Sequence, residues 1–414
     1  MFVVTLLLIT LPAQAQTISW QEAVALAQKN NPELSAAEAT LRANAAQVGS
    51  ARAGFLPKVT GSLSATRANS VSGNTSLPPS NSYAATLTGS QNLFAGFQDA
   101  ARVRQAEANT AAAEAEAQAV KARLSYELKT SFEGLLYAQE YRALTQEIIK
   151  RRRDNLRLVQ LRFESGRENK GSVLLSQSYL SQAEFDGLQA ENTKRSTGAD
   201  FSRTLGMEPD DALIITGAVP VAEPGEISNF QPIALASPTY LQARAQEAAA
   251  NAGIGIAKSG FFPSLDLSGT FGRSSNTFFP QAPNRWQTGL TLTFPFFNGG
   301  RDLYATKAAA ATWEAASLRA EDSGRSQTAE LTQAFTAYQE AAAKLKVDEG
   351  FRNAATVRAE IARTKYNNGL LSFEDWDTIE NDLITRQKTH LQSKRARVVA
   401  EAAWEQAQGK GVLQ

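Results

Sequence analysis

Residues 285–297 read R-W-Q-T-G-L-T-L-T-F-P-F-F and alternate in character. Leu290, Leu292 and Phe294 fall on one side of an extended chain, and Gly289, Thr291 and Thr293 on the other. A period of two is a β-strand with one greasy face and one polar face. Three more such runs lie at about 57–67, 83–94 and 263–273; in the first, Val59, Leu63 and Ala65 alternate with Thr60, Ser62 and Ser64. Beyond the N-terminus, no segment is apolar for the ~20 residues that a spanning helix needs. The chain therefore has four half-greasy strands and no apolar helix, and any fold must cover both the greasy faces and the sheet edges.

The four strands belong to an internal repeat. Asn31-Pro32 recurs as Ser237-Pro238, and Ala51-Arg-Ala-Gly-Phe-Leu-Pro57 as Ala257-Lys-Ser-Gly-Phe-Phe-Pro263, both 206 residues later. Phe94-Ala-Gly96 recurs as Phe297-Asn-Gly299, Gly166 as Gly369 and Gly206 as Gly409, all 203 residues later. The register changes once, in a loop between the strands. After each strand pair the pattern switches to a long Ala-rich helix, at about 100–163 and 303–366. The first of these holds no Pro and one Gly, Gly134. Its apolar residues recur at helical spacing (Leu124, Leu128, Phe132, Leu135), and neither helix is apolar all round. They read as members of a coiled-coil wall.

Each long helix stops at a glycine, Gly166 or Gly369. Return helices follow at about 172–205 and 372–408, with Ser172 and Ser372 as their starts. The Pro-bearing stretch 207–228 reads as a linker. The N-terminal Met-Phe-Val-Val-Thr-Leu-Leu-Leu-Ile-Thr-Leu-Pro-Ala-Gln-Ala reads as a signal peptide (1–15) ending in an A-x-A site. The expected layout is thus signal peptide, first repeat (16–206), linker and second repeat (229–410).

Lys and Arg number 42 against 41 Asp and Glu, so there is no global field for nucleic acid. The chain has no cysteine, hence no thiolate site and no disulfide frame. The single histidine, His390, has no partners that suggest catalysis, and Lys150-Arg151-Arg152-Arg153 reads as a solvated or inter-helix charged face. No nucleophile–base set, metal cluster or phosphate loop supports an enzyme, and no cofactor is implied.

Strands with one lipid-like face point to an outer-membrane β-barrel. An open four-stranded sheet cannot stand in lipid, where unpaired edges are not tolerated. Two copies would supply eight strands, a barrel usually filled by its own side chains; three would supply twelve, wide enough for water. The Ser- and Thr-rich faces, with Lys58 and Asp266, favour a lumen. Phe261, Phe262, Phe296 and Phe297 at the strand–helix junctions, and Trp286, suit an interfacial aromatic belt.

The twofold repeat, the A-R-A-x-x-L-P strand approach, the F-x-G strand exit and the [RK]-[FY]-x-x-G hairpin tip together resemble the TolC-like outer-membrane efflux protein family, over nearly all of the mature chain. The resemblance implies a mixed α/β membrane protein. In it, a homotrimeric twelve-stranded transmembrane barrel, four strands per chain, is continued by a long periplasmic α-helical coiled-coil barrel. It implies an exit duct set in outer-membrane lipid and working with a periplasmic adaptor (membrane fusion) protein and an inner-membrane RND, ABC or MFS pump. Small-molecule efflux (drug or metal) is the first reading, type I protein secretion the alternative, and a non-spanning periplasmic coiled-coil scaffold the second alternative. Carried over by position, Asp375 matches an acidic aperture residue, Asp377 stands beside the next one, and Tyr366 matches a tip tyrosine. Gly166, Gly171, Gly369, Leu370 and Leu371 are the expected adaptor-docking tips.

Overall fold

The computed structural model describes residues 17–69, 71–72, 75–76, 78–210, 213–278 and 283–413. The expected signal peptide lies outside them. In chain order the elements begin with β1 (Thr17–Ser19), α1 (Trp20–Asn30), α2 (Pro32–Arg52) and β2 (Lys58–Ala68). Next come the two-residue strands β3 (Val71–Ser72) and β4 (Thr75–Ser76), then β5 (Ser80–Ala95), α3 (Gln98–Glu164), α4 (Lys170–Thr204) and β6 (Ile214–Thr216). The chain continues with α5 (Gln231–Leu235), α6 (Pro238–Lys258), β7 (Ser264–Ser275), β8 (Arg285–Thr293), α7 (Arg301–Asn367) and α8 (Phe373–Ala407). Helices α3 and α7 each have 67 residues, and α4 and α8 each have 35. The chain divides into two compact units, one of residues 17–37, 118–238 and 326–413, the other of residues 38–117 and 239–325.

The second unit carries a four-stranded antiparallel sheet in the order β2-β5-β7-β8. Its register sorts the residues by polarity. Leu63 faces Ala85, and Gly61 faces Leu87, which faces Phe271, which faces Trp286. Leu265 lies opposite Leu292 and Leu267 opposite Leu290. The alternate positions form rows such as Thr60–Thr88–Thr270–Gln287 and Lys58–Ser90–Ser268–Gly289. A one-residue slip would exchange the faces, so the pairing is fixed by polarity. A bulge between Asn92 and Phe94 supplies one extra residue, and so keeps Phe94 in line with Leu265 on the apolar side.

Strand β8 ends at Thr293 rather than at the expected 297, because Pro295 has no N–H to give a ladder. Both turns into the long helices use left-handed backbone, Gly96-Phe97 in one repeat and Gly299-Gly300 in the other. Phe97 adopts it without being glycine (φ +67°), held by edge-on contacts to Phe94 (5.1 Å) and Phe262 (5.8 Å). Alternation alone did not reveal this.

The first unit is helical, with one core around Leu128, Phe132, Leu135, Phe201 and Leu205 and a second around Leu331, Phe335 and Trp404. Leu128, Phe132 and Phe201 stand 203 residues before Leu331, Phe335 and Trp404, so the same helical positions are buried twice. The stretch expected to be only a linker contains β6, which pairs in parallel with β1. Its next segment is fastened by Ala222, whose N–H donates to Glu401 Oε1 (2.9 Å). The Ala222 carbonyl accepts from Arg397 (3.0 Å) and from the Tyr338 hydroxyl.

Candidate functional site at the hairpin ends

Helices α3 and α7 end alike. Arg167 N donates to Arg162 O (2.8 Å) and Gly166 N to Phe163 O (2.9 Å); Leu370 N donates to Lys365 O (2.9 Å) and Gly369 N to Tyr366 O (3.0 Å). These are paired end-of-helix hydrogen bonds that need a left-handed residue. Gly166 (φ +72°) and Gly369 (φ +75°) provide it, and a Cβ at either would meet nothing within 4 Å. The requirement is therefore conformational, and both turns are open.

The return helices start differently. Ser372 caps α8, its Oγ accepting from Asp375 N (3.1 Å) and donating to the Asp375 carboxylate (2.9 Å). Helix α4 begins two residues earlier than expected, because Asn169 is its cap, with Oδ1 accepting from Ser172 N (2.9 Å). Ser172 is inside the helix, and Gly171 belongs to its first turn rather than to the loop.

Within the same unit the two hairpins meet through aromatic and charged side chains. The Tyr366 ring is fully buried and stacks on Trp376 at 4.2 Å and 10°. The Arg162 guanidinium lies 4.4 Å from the Tyr366 ring centre, and its Nη1 donates to the Tyr366 carbonyl (2.5 Å). The Tyr366 hydroxyl donates to Glu168 Oε2 (3.0 Å). Burial, and then the neighbouring Glu168 carboxylate, hold that hydroxyl's pKa well above the ordinary tyrosine value, so it remains a donor.

One layer on, Arg152 pairs with Asp377 (3.4 Å) and donates to Asn381 Oδ1 (2.5 Å), while Asn381 Nδ2 donates to Asp377 Oδ2 (2.9 Å). Arg151 Nη1 lies 3.8 Å from the buried Glu380 carboxylate. Burial lowers the Arg152 pKa and raises that of Glu380, so each relies on the opposite charges around it.

The three expected aperture residues thus part company. Asp375 is exposed, Tyr366 is in the core, and Asp377 is largely buried in an ion pair within the chain. Leu370 is 74% exposed, while Leu371 is partly buried against the Tyr366–Trp376 cluster. Sequence reasoning missed Arg152, Glu168, Trp376 and Asn381 as partners. The signal available was charge complementarity, two arginines in succession on one hairpin against Asp377 and Glu380 on the other. On the α7–α8 hairpin an apolar groove of about 680 Å³ runs along Val357, Ile361, Leu371 and Ile379, with Arg358 and Lys365 in its lining.

In the sheet unit, Phe261, Phe262, Phe296 and Phe297 are all exposed beside the strand–helix turns. Trp286, 76% exposed, lies at the other end of β8, opposite Phe271. The aromatics therefore form two bands, with Leu267, Leu290 and Leu292 between them. From Phe294 to Trp286 is about 27 Å of strand. At the usual barrel tilt this is roughly 20 Å of height, comparable with an outer-membrane apolar band.

The profile of the family described as "Outer membrane efflux protein" matches residues 23–206 and 231–410. The chain is 24% identical to the cation efflux system protein CusC of Escherichia coli O6:H1 strain CFT073, over 54% of this chain and 53% of that one. It is 23% identical to the alkaline protease secretion protein AprF of Pseudomonas aeruginosa, over 65% and 57%. Among solved structures, the Campylobacter jejuni CmeC outer membrane channel superposes with a TM-score of 0.83 at 19% identity, covering 95% of this chain and 86% of that one. The chain spans 35% to 60% of the length of the curated relatives it matches. With the repeat, the sorted sheet and the hairpin ends already in view, the match over both halves leads to one conclusion: the chain belongs to the outer membrane efflux protein family.

Proposed function

We propose that three copies of this chain close their sheets into a twelve-stranded outer-membrane barrel, and that the trimer is the exit duct of a tripartite export system. The observation that carries the reading is the sheet. Most of its large apolar residues share one face, most of its Ser and Thr residues share the other, and β2 and β8 are left as unpaired edges. Lipid accepts the apolar face but not the edges, so closure by further copies is required. The helical unit supports the same stoichiometry argument, with Leu161, Phe185, Leu188, Phe351, Val357 and Ile361 exposed on helices of a single chain. Apolar faces of that kind need partner helices. A periplasmic scaffold that never crosses the membrane would leave the sorted sheet without a purpose.

The open turns at Gly166 and Gly369, with Leu370 beside them, suit docking of a periplasmic adaptor that links the duct to an inner-membrane pump. Small-molecule or metal efflux is the preferred cargo class, in keeping with the cation efflux relative. Protein secretion is the second reading, favoured by the likeness to a protease secretion component.

In the trimer three copies of Asp375 bring exposed like charges together at the aperture and make it cation-preferring. Reconstituted in planar bilayers, the wild-type protein is expected to conduct and to favour potassium over chloride, and Asp375→Ala to reduce that preference severalfold. Unchanged selectivity would remove Asp375 from the aperture, and no conductance at all would contradict the duct.

A further inference from the structure

The polar face of the sheet has one feature that its even lining of hydroxyls does not require. Three consecutive rows meet at a hollow of about 370 Å³ lined by Thr86, Thr270, Gly272, Ser274, Arg285 and Gln287, and also by Arg273 and Trp286 of the other face. Gly272 forms the floor. It lies between Thr86 and Arg285 in the ladder, and a Cβ there would come within 2.4 Å of the Ala85 carbonyl oxygen and 2.9 Å of a Thr86 methyl carbon. The row below is Thr88–Thr270–Gln287, and Ser274 stands above.

Two arginines line the hollow: Arg273, which donates to Asn284 Oδ1 (2.6 Å), and Arg285, whose guanidinium has no acceptor among the described residues. The charged residues sharing its face are Lys58 and Asp266. Asp266 lies six residues along β7 from Gly272, about 20 Å away at strand rise. At that distance in water its field is largely screened. Closure of the barrel would set a neighbour's β2 beside β8, and the polar face of β2 offers Lys58, Thr60, Ser62, Ser64 and Thr66, with no carboxylate. The charge of Arg285 therefore stays unneutralised on either side.

We propose that this hollow is a binding site for an oxyanion, the carboxylate or phosphate group of a small solute in the lumen. The guanidinium fork takes two oxygens of such a group side by side. The hydroxyls of Thr270 and Ser274 and the amide of Gln287 donate to the remaining lone pairs. Gly272, where a Cβ would run into β5, keeps the strands close and places no side chain between Thr86 and Arg285. With three copies the site recurs three times at one level, a ring of positive charge whose preference is opposite to that of an acidic aperture. The proposal rests on the duct reading for its luminal position.

The test uses single channels of the full chain in phosphatidylcholine bilayers, with citrate as the carboxylate probe and inorganic phosphate as the second arm. Citrate is expected to block the current at lower concentration than phosphate. Arg285→Gln should raise the half-blocking citrate concentration about tenfold or more, Arg285→Lys should raise it less, and Thr270→Val should raise it severalfold with conductance retained. Equal block in wild type and Arg285→Gln overturns the proposal and leaves the duct standing. Citrate block that is lost when anionic lipid is added also overturns it, because the site would then be held by a headgroup. Absence of any conducting channel overturns the duct reading, and this proposal falls with it.

Discussion

Glu405→Ala should cost about 3–5 kcal/mol of stability, the usual penalty for stranding one partner of a buried ion pair. Lys129 is 4% exposed, and its ammonium reaches both Glu405 oxygens, at 2.6 and 2.7 Å, across 276 residues of sequence. Removing the carboxylate leaves the buried ammonium without its hydrogen-bonded partner. The nearby Glu401 offers only its field, with one oxygen held by the Ala222 N–H and no hydrogen bond to Lys129. Thermal unfolding followed by circular dichroism in detergent should show a midpoint many degrees lower. The double variant Lys129→Met, Glu405→Leu should recover most of the loss, since a buried pair replaced by packed apolar groups is often neutral or better. If the single variant unfolds within a degree or two of wild type, the pair carries little.

The second large effect is expected at the ends of the return helices. Gly409 has φ +70°, and a Cβ there would come within 2.1 Å of Pro238 Cδ; Gly206 has φ +71°, with Asn30 O at 2.4 Å. Left-handed backbone costs an L-residue about 1–2 kcal/mol, and overpacking adds about 1–3 kcal/mol. Gly409→Ala and Gly206→Ala should each lower the midpoint strongly, whereas Gly166→Ala, with open space around it, should cost only the backbone part. Equal losses at all three positions would show that the close packing is not the cause. Gly206 and Gly409 close onto corresponding places in the two halves, the first against Asn30 and Asn31 just before Pro32 and the second against Pro238 itself.

That correspondence was legible in the sequence, because a fixed offset preserves which residues face a core. The alternation of the strands was equally legible, since a residue's face depends only on its own position. Contacts between distant segments were not. Nothing local marks Arg152 as the partner of Asp377, 225 residues on; a run of four basic residues reads only as a solvated or inter-helix charged face, without naming the partner. The β1–β6 pair was missed because three residues are too few to show a period. The two starts of the return helices were misjudged at one end, because Asn169 and Ser172 are both good caps and only the backbone decides between them. Asp377 was expected near the aperture because it stands beside position 378, the next acidic position that the resemblance implies; one helical residue is a turn of about 100°, and Asp377 is instead engaged by Arg152 of the same chain.

The claim that most needs testing is that β8 of one chain pairs with β2 of the next. The chain has no cysteine, so introduced pairs report without background. Leu290→Cys on β8 can be combined in turn with Val59→Cys, Leu63→Cys or Ala65→Cys on β2, all on the apolar face, and the protein oxidised in outer-membrane preparations. At least one combination should give a covalent trimer on a denaturing gel, with dimers as its precursor and monomer alone after reduction. If every combination instead stays at monomer mass, or closes within one chain, the sheet is not completed by other copies and the trimeric barrel is wrong.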